Sequence, residues 1–448
     1  MLWSKWRIVF LLTFISIFNF SESFSQNVFD IENEKGEYRQ KFELVNGLVI
    51  IPVEVNGREL SFLLDTGVDS TILFSFAEED SIQLKNPSVI YLKGLGEGEP
   101  LRALKSTHNT IKMGDVIGRN QSIYILEGGV LNISNRLGVA INGIIGYEFF
   151  KDFVVKFNYD REVMDIYQNW RYDYKKCKRC VELPLSFYKN KPYISVEIEL
   201  ENSAPQMVNM LLDSGSGDAV WLLENPEKNI NIPNESFNDF LGFGISGSVY
   251  GQRSRINKLS VGKFDLNQVT VSFPDSLYTQ NTETDEYRDG SIGSQVLERF
   301  HSIFDYSRRK LILKPNRNFR KAFEYNMSGV VLEHSGYNIV KSENINSIPF
   351  ELESDNGDAL TLYQSKRQVE YVLEASYSVA EIRPGSPAEI AGLKVGDEIL
   401  RLNRRPVYKY NLQKLAQIFS SKEGKRIKLE IMRGEIFMEI EFKLKRIL

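Results

Sequence analysis

Leu63-Leu64-Asp65-Thr66-Gly67 and Leu211-Leu212-Asp213-Ser214-Gly215 are two copies of one pattern. Each is an apolar run that reads as a buried strand. Each ends in a carboxylate, a hydroxyl residue and a glycine. Burying an unpaired charge is costly, so an Asp at the end of such a strand needs a reason. One copy alone would read as a turn. Two copies in the same local context imply that the carboxylates belong together.

The repeat extends beyond the pentapeptide. Asp65 and Asp213 lie 148 positions apart (213 − 65). Gly94-Leu95-Gly96 recurs as Gly242-Phe243-Gly244 at the same offset (242 − 94 = 148). Gly143-Ile144-Ile145-Gly146, then Phe153 to Tyr159, recurs as Gly290-Ser291-Ile292-Gly293, then Phe300 to Tyr306, at an offset of 147 (290 − 143). Three landmarks in one order at nearly constant spacing describe a duplicated lobe. Short strand-like runs with Gly turns, such as Leu48 to Val55 and Leu60 to Leu64 across Asn56-Gly57, make each lobe mostly β. The first lobe is expected over residues 40–170 and the second over 181–316. Gly242-Phe243-Gly244-Ile245-Ser246-Gly247 also spells G-x-G-x-x-G. No helical pattern follows it, so a dinucleotide site is not expected there.

The chain has 448 residues, 55 basic and 59 acidic, for a net charge of −4. That balance argues against nucleic acid as the main partner. The three His are scattered, so no His-rich metal cluster is visible. Residues 1–25 read as an export signal, with Lys5 and Arg7 ahead of the apolar stretch Ile8 to Phe20, and Ser23 and Ser25 before a cut. The expected location is periplasmic or secreted, in a bacterium. A membrane anchor is the alternative, although the stretch is short for a span. Cys177 and Cys180, the only cysteines, fall in the connector 171–180. A local disulfide fits an exported protein, with free thiols as the alternative. A zinc site would need more ligands than this pair.

The segment 322–448 differs from both lobes. Ser386-Pro387-Ala388-Glu389-Ile390-Ala391-Gly392-Leu393 reads as a capped helix with a Gly stop. Gly396-Asp397 turns into a strand, Asn411 to Ser421 is helical, and Ile427 to Met432 with Ile436 to Phe442 close a hairpin across Arg433-Gly434. This combination resembles a bacterial PDZ domain, with residues 341–376 as a polar insertion. Such domains bind an extended C-terminal peptide beside a strand and take its carboxylate in a backbone nest. The resemblance places that groove between Val330-Val331-Leu332-Glu333 and the helix from Asn411, with Ser328, Gly329 and Val330 as the carboxylate loop.

Two lobes that each supply one Asp at a strand end can face each other across a pseudo-twofold axis. Two close carboxylates cannot both ionise, so they share one proton. One takes a proton from a water held between them while the other donates to the substrate carbonyl oxygen. No metal, cofactor or covalent intermediate is needed. The Thr66 and Ser214 hydroxyls brace the loops, and Gly67 and Gly215 allow tight turns. Ser216 offers a hydroxyl three residues after Asp213, where the first copy has Val68.

Residues 40 to 315 resemble a retropepsin- or pepsin-type aspartic peptidase with both lobes in one chain. The signature is Asp-Thr/Ser-Gly followed later by two apolar residues and Gly. Ser291 departs from it. The resemblance implies a bilobal, mostly β fold plus a small α+β PDZ-like domain, and catalysis by Asp65 and Asp213. It makes Asp69 a subsite residue and puts Gly94, Gly96, Gly242 and Gly244 on flap-like hairpins over substrate. The expected activity is an exported aspartic endopeptidase with peptide recruitment by the PDZ domain. A catalytically silent peptide-binding adaptor and a different hydrolase or an assembly factor are the alternatives. Peptide or protein substrates and a C-terminal peptide ligand are the expected partners. One chain carries both half-sites, so a monomer suffices.

Overall fold

A computed structural model describes residues 27–74, 82–92, 100–126, 133–201, 203–244, 247–279, 287–353 and 359–448, without the side chains of 342–353 and 359–368. The export signal read over residues 1–25 and the segment Gly94 to Gly96 lie outside the described residues. Among the described residues, no helix is long and apolar enough to cross a membrane.

The molecule is mostly strands, arranged as two related lobes and a smaller α+β unit. In the first lobe, Leu48–Val55 and Arg58–Leu64 form a hairpin. Asn56 and Gly57 both take positive φ (49° and 89°) at its turn, as a two-residue hairpin requires. Arg58–Leu64 then runs parallel to Gly143–Ile145, with Leu64 beside Ile145. The second lobe repeats this: Gln206–Leu212 runs parallel to Gly290–Ile292, with Leu212 beside Ile292. Ser291, the departure from the apolar pattern, is buried all the same.

The lobes join through one six-stranded sheet that takes strands from both. Its middle is the antiparallel pair Phe153–Asn158 and Phe300–Asp305, with Val155 opposite Phe304. These are the two copies of the same repeat unit, so the duplication ends by pairing with itself. Phe150, Phe157 and Phe304 pack with Tyr306 and Tyr159 against this sheet. One continuous apolar core therefore runs through both lobes.

One reading of the sequence needs correction. The first lobe begins before position 40: Val28–Ile31 pairs with Val116–Leu126, and Glu37–Lys41 pairs with Val163–Gln168. Those runs are too short and too polar to signal strands by periodicity. Residues 341–376, read as an insertion in the PDZ-like pattern, continue the arms of a long hairpin, Val330–Glu353 with Ala359–Ile382. Gly242 lies on the strand Phe237–Gly244, which pairs with Gly247–Val261, so no helix follows the G-x-G-x-x-G run, as its sequence led us to expect.

The C-terminal unit has its own core, including Leu332, Val379, Leu415, Ile427 and Ile440. Asn411 caps the helix Leu412–Phe419 by accepting from Lys414 N at 2.8 Å, and Ser386 caps Pro387–Ile390 in the same way. Arg426–Arg433 and Ile436–Lys443 form the closing hairpin. Cys177 and Cys180 form a disulfide in the connector.

Candidate active site

Asp65 and Asp213 each follow the last residue of a buried strand. Asp65 N donates to Ile145 O and Asp213 N to Ile292 O, both at 2.9 Å, so each loop is pinned to the neighbouring parallel strand. The loops are then tied to each other. Thr66 N donates to Ser214 Oγ at 3.0 Å and Ser214 N to Thr66 Oγ1 at 3.1 Å. Thr66 Oγ1 donates to Leu212 O at 2.8 Å, and Ser214 Oγ to Leu64 O at 2.9 Å. Both hydroxyl groups are buried and satisfied in both roles, which fixes the spacing of the two lobes at this point.

Each loop's glycine faces the opposite carboxylate. A Cβ on Gly215 would stand 2.1 Å from Asp65 Oδ2, and one on Gly67 would stand 2.9 Å from Asp213 Oδ1. Only the absence of a side chain lets the carboxylates approach. Gly67 N also donates to Asp65 Oδ1 at 2.7 Å, and Gly215 N to Asp213 Oδ1 at 3.2 Å. Gly146 is equally constrained, since a Cβ there would meet Val68 O at 2.4 Å and Asp65 O at 2.6 Å.

Burial pushes Asp65 up to about 7, helped by the charge on Asp213 and opposed by the Gly67 amide and by Lys191. Asp213 is also raised by burial, against the pull of Arg288 and Lys191. The pair therefore holds one proton well above the ordinary carboxylate range and titrates as a unit. Lys191 begins the strand Lys191–Glu199 beside Gln206–Leu212. Neither Lys191 nor Arg288 stood out in the sequence, since isolated cations carry no pattern.

The other expected site residues divide. Ser216 acts on Asp213 through its backbone amide, a contact the sequence reading did not include. Asp69 is exposed just after the loop. Gly242 and Gly244 sit near the tip of a second-lobe hairpin. Asp218 went unnoticed in the sequence, yet it accepts from Trp221 Nε1, Ser272 Oγ and Arg253 Nη1 at 2.7, 2.8 and 3.0 Å, anchoring the loop that carries Asp213. The two walls expected for the PDZ groove are present, but the carboxylate loop is not open. Ser328, Gly329 and Val330 are buried. The Ser328 and Gly329 amides donate to Asn326 Oδ1, and the Val330 amide to Ser328 Oγ. The nest's donors are already used.

Residues 51–149 match the family described as aspartyl protease, and residues 378–433 match the PDZ domain family. The chain resembles an aspartyl protease joined to a PDZ domain. The aspartyl protease match spans the Asp65 lobe only; the Asp213 lobe is related to it by the internal repeat. A crystal structure of an aspartic proteinase from Irpex lacteus is similar at 14% identity and a TM-score of 0.42, over 64% of this chain and 99% of that one. Comparison with curated proteins gives no match.

Proposed function

We propose that this chain is an aspartic endopeptidase in which Asp65 and Asp213 act as one acid–base pair. The observation that carries this reading is the mutual Thr66–Ser214 grip, which sets two strand-end carboxylates against each other's glycines. In the singly protonated pair, one carboxylate takes a proton from a water between them, and that water attacks the scissile carbonyl carbon. The other donates its proton to the carbonyl oxygen. The carboxyl that took the water's proton then gives it to the nitrogen, the other takes back a hydroxyl proton from the tetrahedral centre, and the amide C–N bond breaks. A pair that keeps its proton to about pH 7 supports work at mild rather than strongly acidic pH. Both half-sites come from one chain, so the monomer is the proposed active form.

Recruitment of peptide or protein substrates by the PDZ domain, and export to the periplasm or exterior, complete the proposal. A tethered peptide module raises the local substrate concentration at the dyad. The test is digestion of a peptide library by the purified protein at pH 4 to 8, with and without a pepstatin-like inhibitor. Inhibitor-sensitive cleavage is the expected result. A chain that binds peptides without cutting them would be an adaptor instead.

A further inference from the structure

Three separate parts of the chain meet at Arg136. It lies on the first-lobe helix Ile133–Leu137, which packs against the PDZ strand Val330–Glu353. Its Nε is 3.1 Å from Glu333 Oε2, and its Nη2 is 3.8 Å from Glu381 Oε1, both on the PDZ hairpin. Its guanidinium stacks 4.3 Å from the ring of Phe243, near the tip of the second-lobe hairpin. The Arg136 side chain is 20% exposed, and its Nη1 has no hydrogen-bond partner among the described residues. A cation held this dry depends on its two carboxylates and one ring.

The surroundings reinforce the junction. Tyr250 Oη, on the returning strand of that hairpin, donates to Glu381 Oε2 at 3.1 Å. The hairpin's base is tied both ways: Arg253 bridges Asp239 to Asp218 of the dyad loop, while the PDZ residue Arg383 lies 3.6 Å from Asp239. On the other wall of the PDZ groove, a Cβ on Gly138 would stand 3.0 Å from Leu412 Cδ1. Gln413 Nε2 donates to Leu44 O at 3.3 Å. First-lobe residues thus abut both walls of the groove.

We propose that Arg136 is a positioning residue that clamps the second-lobe hairpin across to the first lobe, with Glu333 and Glu381 of the PDZ domain holding the clamp shut. A peptide added as a strand along the sheet edge beside Glu333, without use of the closed carboxylate loop, competes with this contact, so PDZ occupancy and hairpin position are linked. The inference rests on the peptidase reading for its catalytic consequence only.

The test separates the two. Amide hydrogen exchange is followed in the catalytically disabled Asp65→Asn chain, with and without Arg136→Ala. Exchange over Phe237–Gly244 should quicken by about tenfold, the loss of roughly one charge-assisted contact, while Leu211 to Ser214 stays unchanged. Arg136→Lys, which keeps the charge but not the planar fork, should recover part of the effect. With the dyad intact, Arg136→Ala should raise KM several-fold and leave kcat nearly unchanged. If Arg136→Ala does not fold, Glu333→Gln with Glu381→Gln removes the same contacts from the PDZ side. Unchanged hairpin exchange in a folded variant, or a rise spread equally over the dyad loops, overturns the clamp. Absence of cleavage by every form overturns the peptidase reading and leaves exchange to decide the clamp.

Discussion

The grip at Thr66 and Ser214 and the junction at Arg136 both join separate parts of the chain with polar contacts, yet they are built differently. The grip is symmetric: each hydroxyl gives to a backbone carbonyl and receives from the other loop's amide. Nothing in it is left over. The junction is asymmetric and under-satisfied, with one guanidinium serving two carboxylates and a ring. A satisfied network fixes one geometry; a partly satisfied one is easier to rearrange. Chemistry that needs fixed spacing sits on the first, and motion is assigned to the second.

Four perturbations sharpen or break that contrast. The largest effect away from the carboxylates themselves is expected from Gly215→Ala. Its methyl would enter the space of Asp65 Oδ2, so kcat/KM should fall by about 100-fold or more, since small misplacements at reacting groups cost that much. Overpacking this buried site should also cost about 1–3 kcal/mol of stability, and a variant with near wild-type kcat/KM would show that the loops are not rigid. Thr66→Val removes one donor and one acceptor from the buried grip. It should cost about 2–3 kcal/mol in urea unfolding, two hydrogen bonds plus the groups left unpaired. A cost no larger than that of Arg136→Ala would erase the distinction between the two regions.

The third concerns pH. The folded pKa of Asp65, about 7, lies above its ordinary 3.8. Stability from this group is therefore fully present below about pH 4 and is lost as pH rises to about 7. Asp65→Asn removes that loss, so its advantage in melting temperature should be small at pH 4, grow through this window and level off above it. An advantage independent of pH would mean the dyad is not the buried, proton-sharing pair described above. The smallest effect is expected from Ser216→Ala. Since Ser216 reaches Asp213 through its amide, which alanine keeps, the acid limb of the pH–rate profile should stay within about 0.3 units, well below a full unit of about 1.4 kcal/mol. A larger shift would restore the hydroxyl role read from the sequence.

How much was legible follows from the same contrast. The dyad loops were readable because duplication wrote Asp65 and Asp213, Thr66 and Ser214, and Gly67 and Gly215 at one spacing. The Cys177–Cys180 bridge was one of two alternatives that a cysteine pair in an exported protein left open. The closing hairpin and the capped helices of the PDZ unit were legible from local turn and cap residues. The shared six-stranded sheet was not, because pairing of Val154 with Asp305 leaves no trace in either strand alone. Arg136, Glu381 and Asp218 were also silent, because Arg136 and Glu381 meet each other across the chain and Asp218 is joined to Arg253 and Ser272, 35 and 54 positions on. The buried amides of Ser328 to Val330 depend on Asn326, a side chain that loop resemblance does not weigh.

The central claim is that Asp65 and Asp213 form one acid–base unit across two lobes. It is tested most directly by measuring peptide cleavage for Asp65→Asn, Asp213→Asn and the double variant against wild type, with folding checked by melting. Each single substitution should abolish turnover by about 10⁴-fold or more, and the double should be no worse, as for residues that act together. Appreciable turnover by either folded single variant, or losses that multiply in the double, would contradict it.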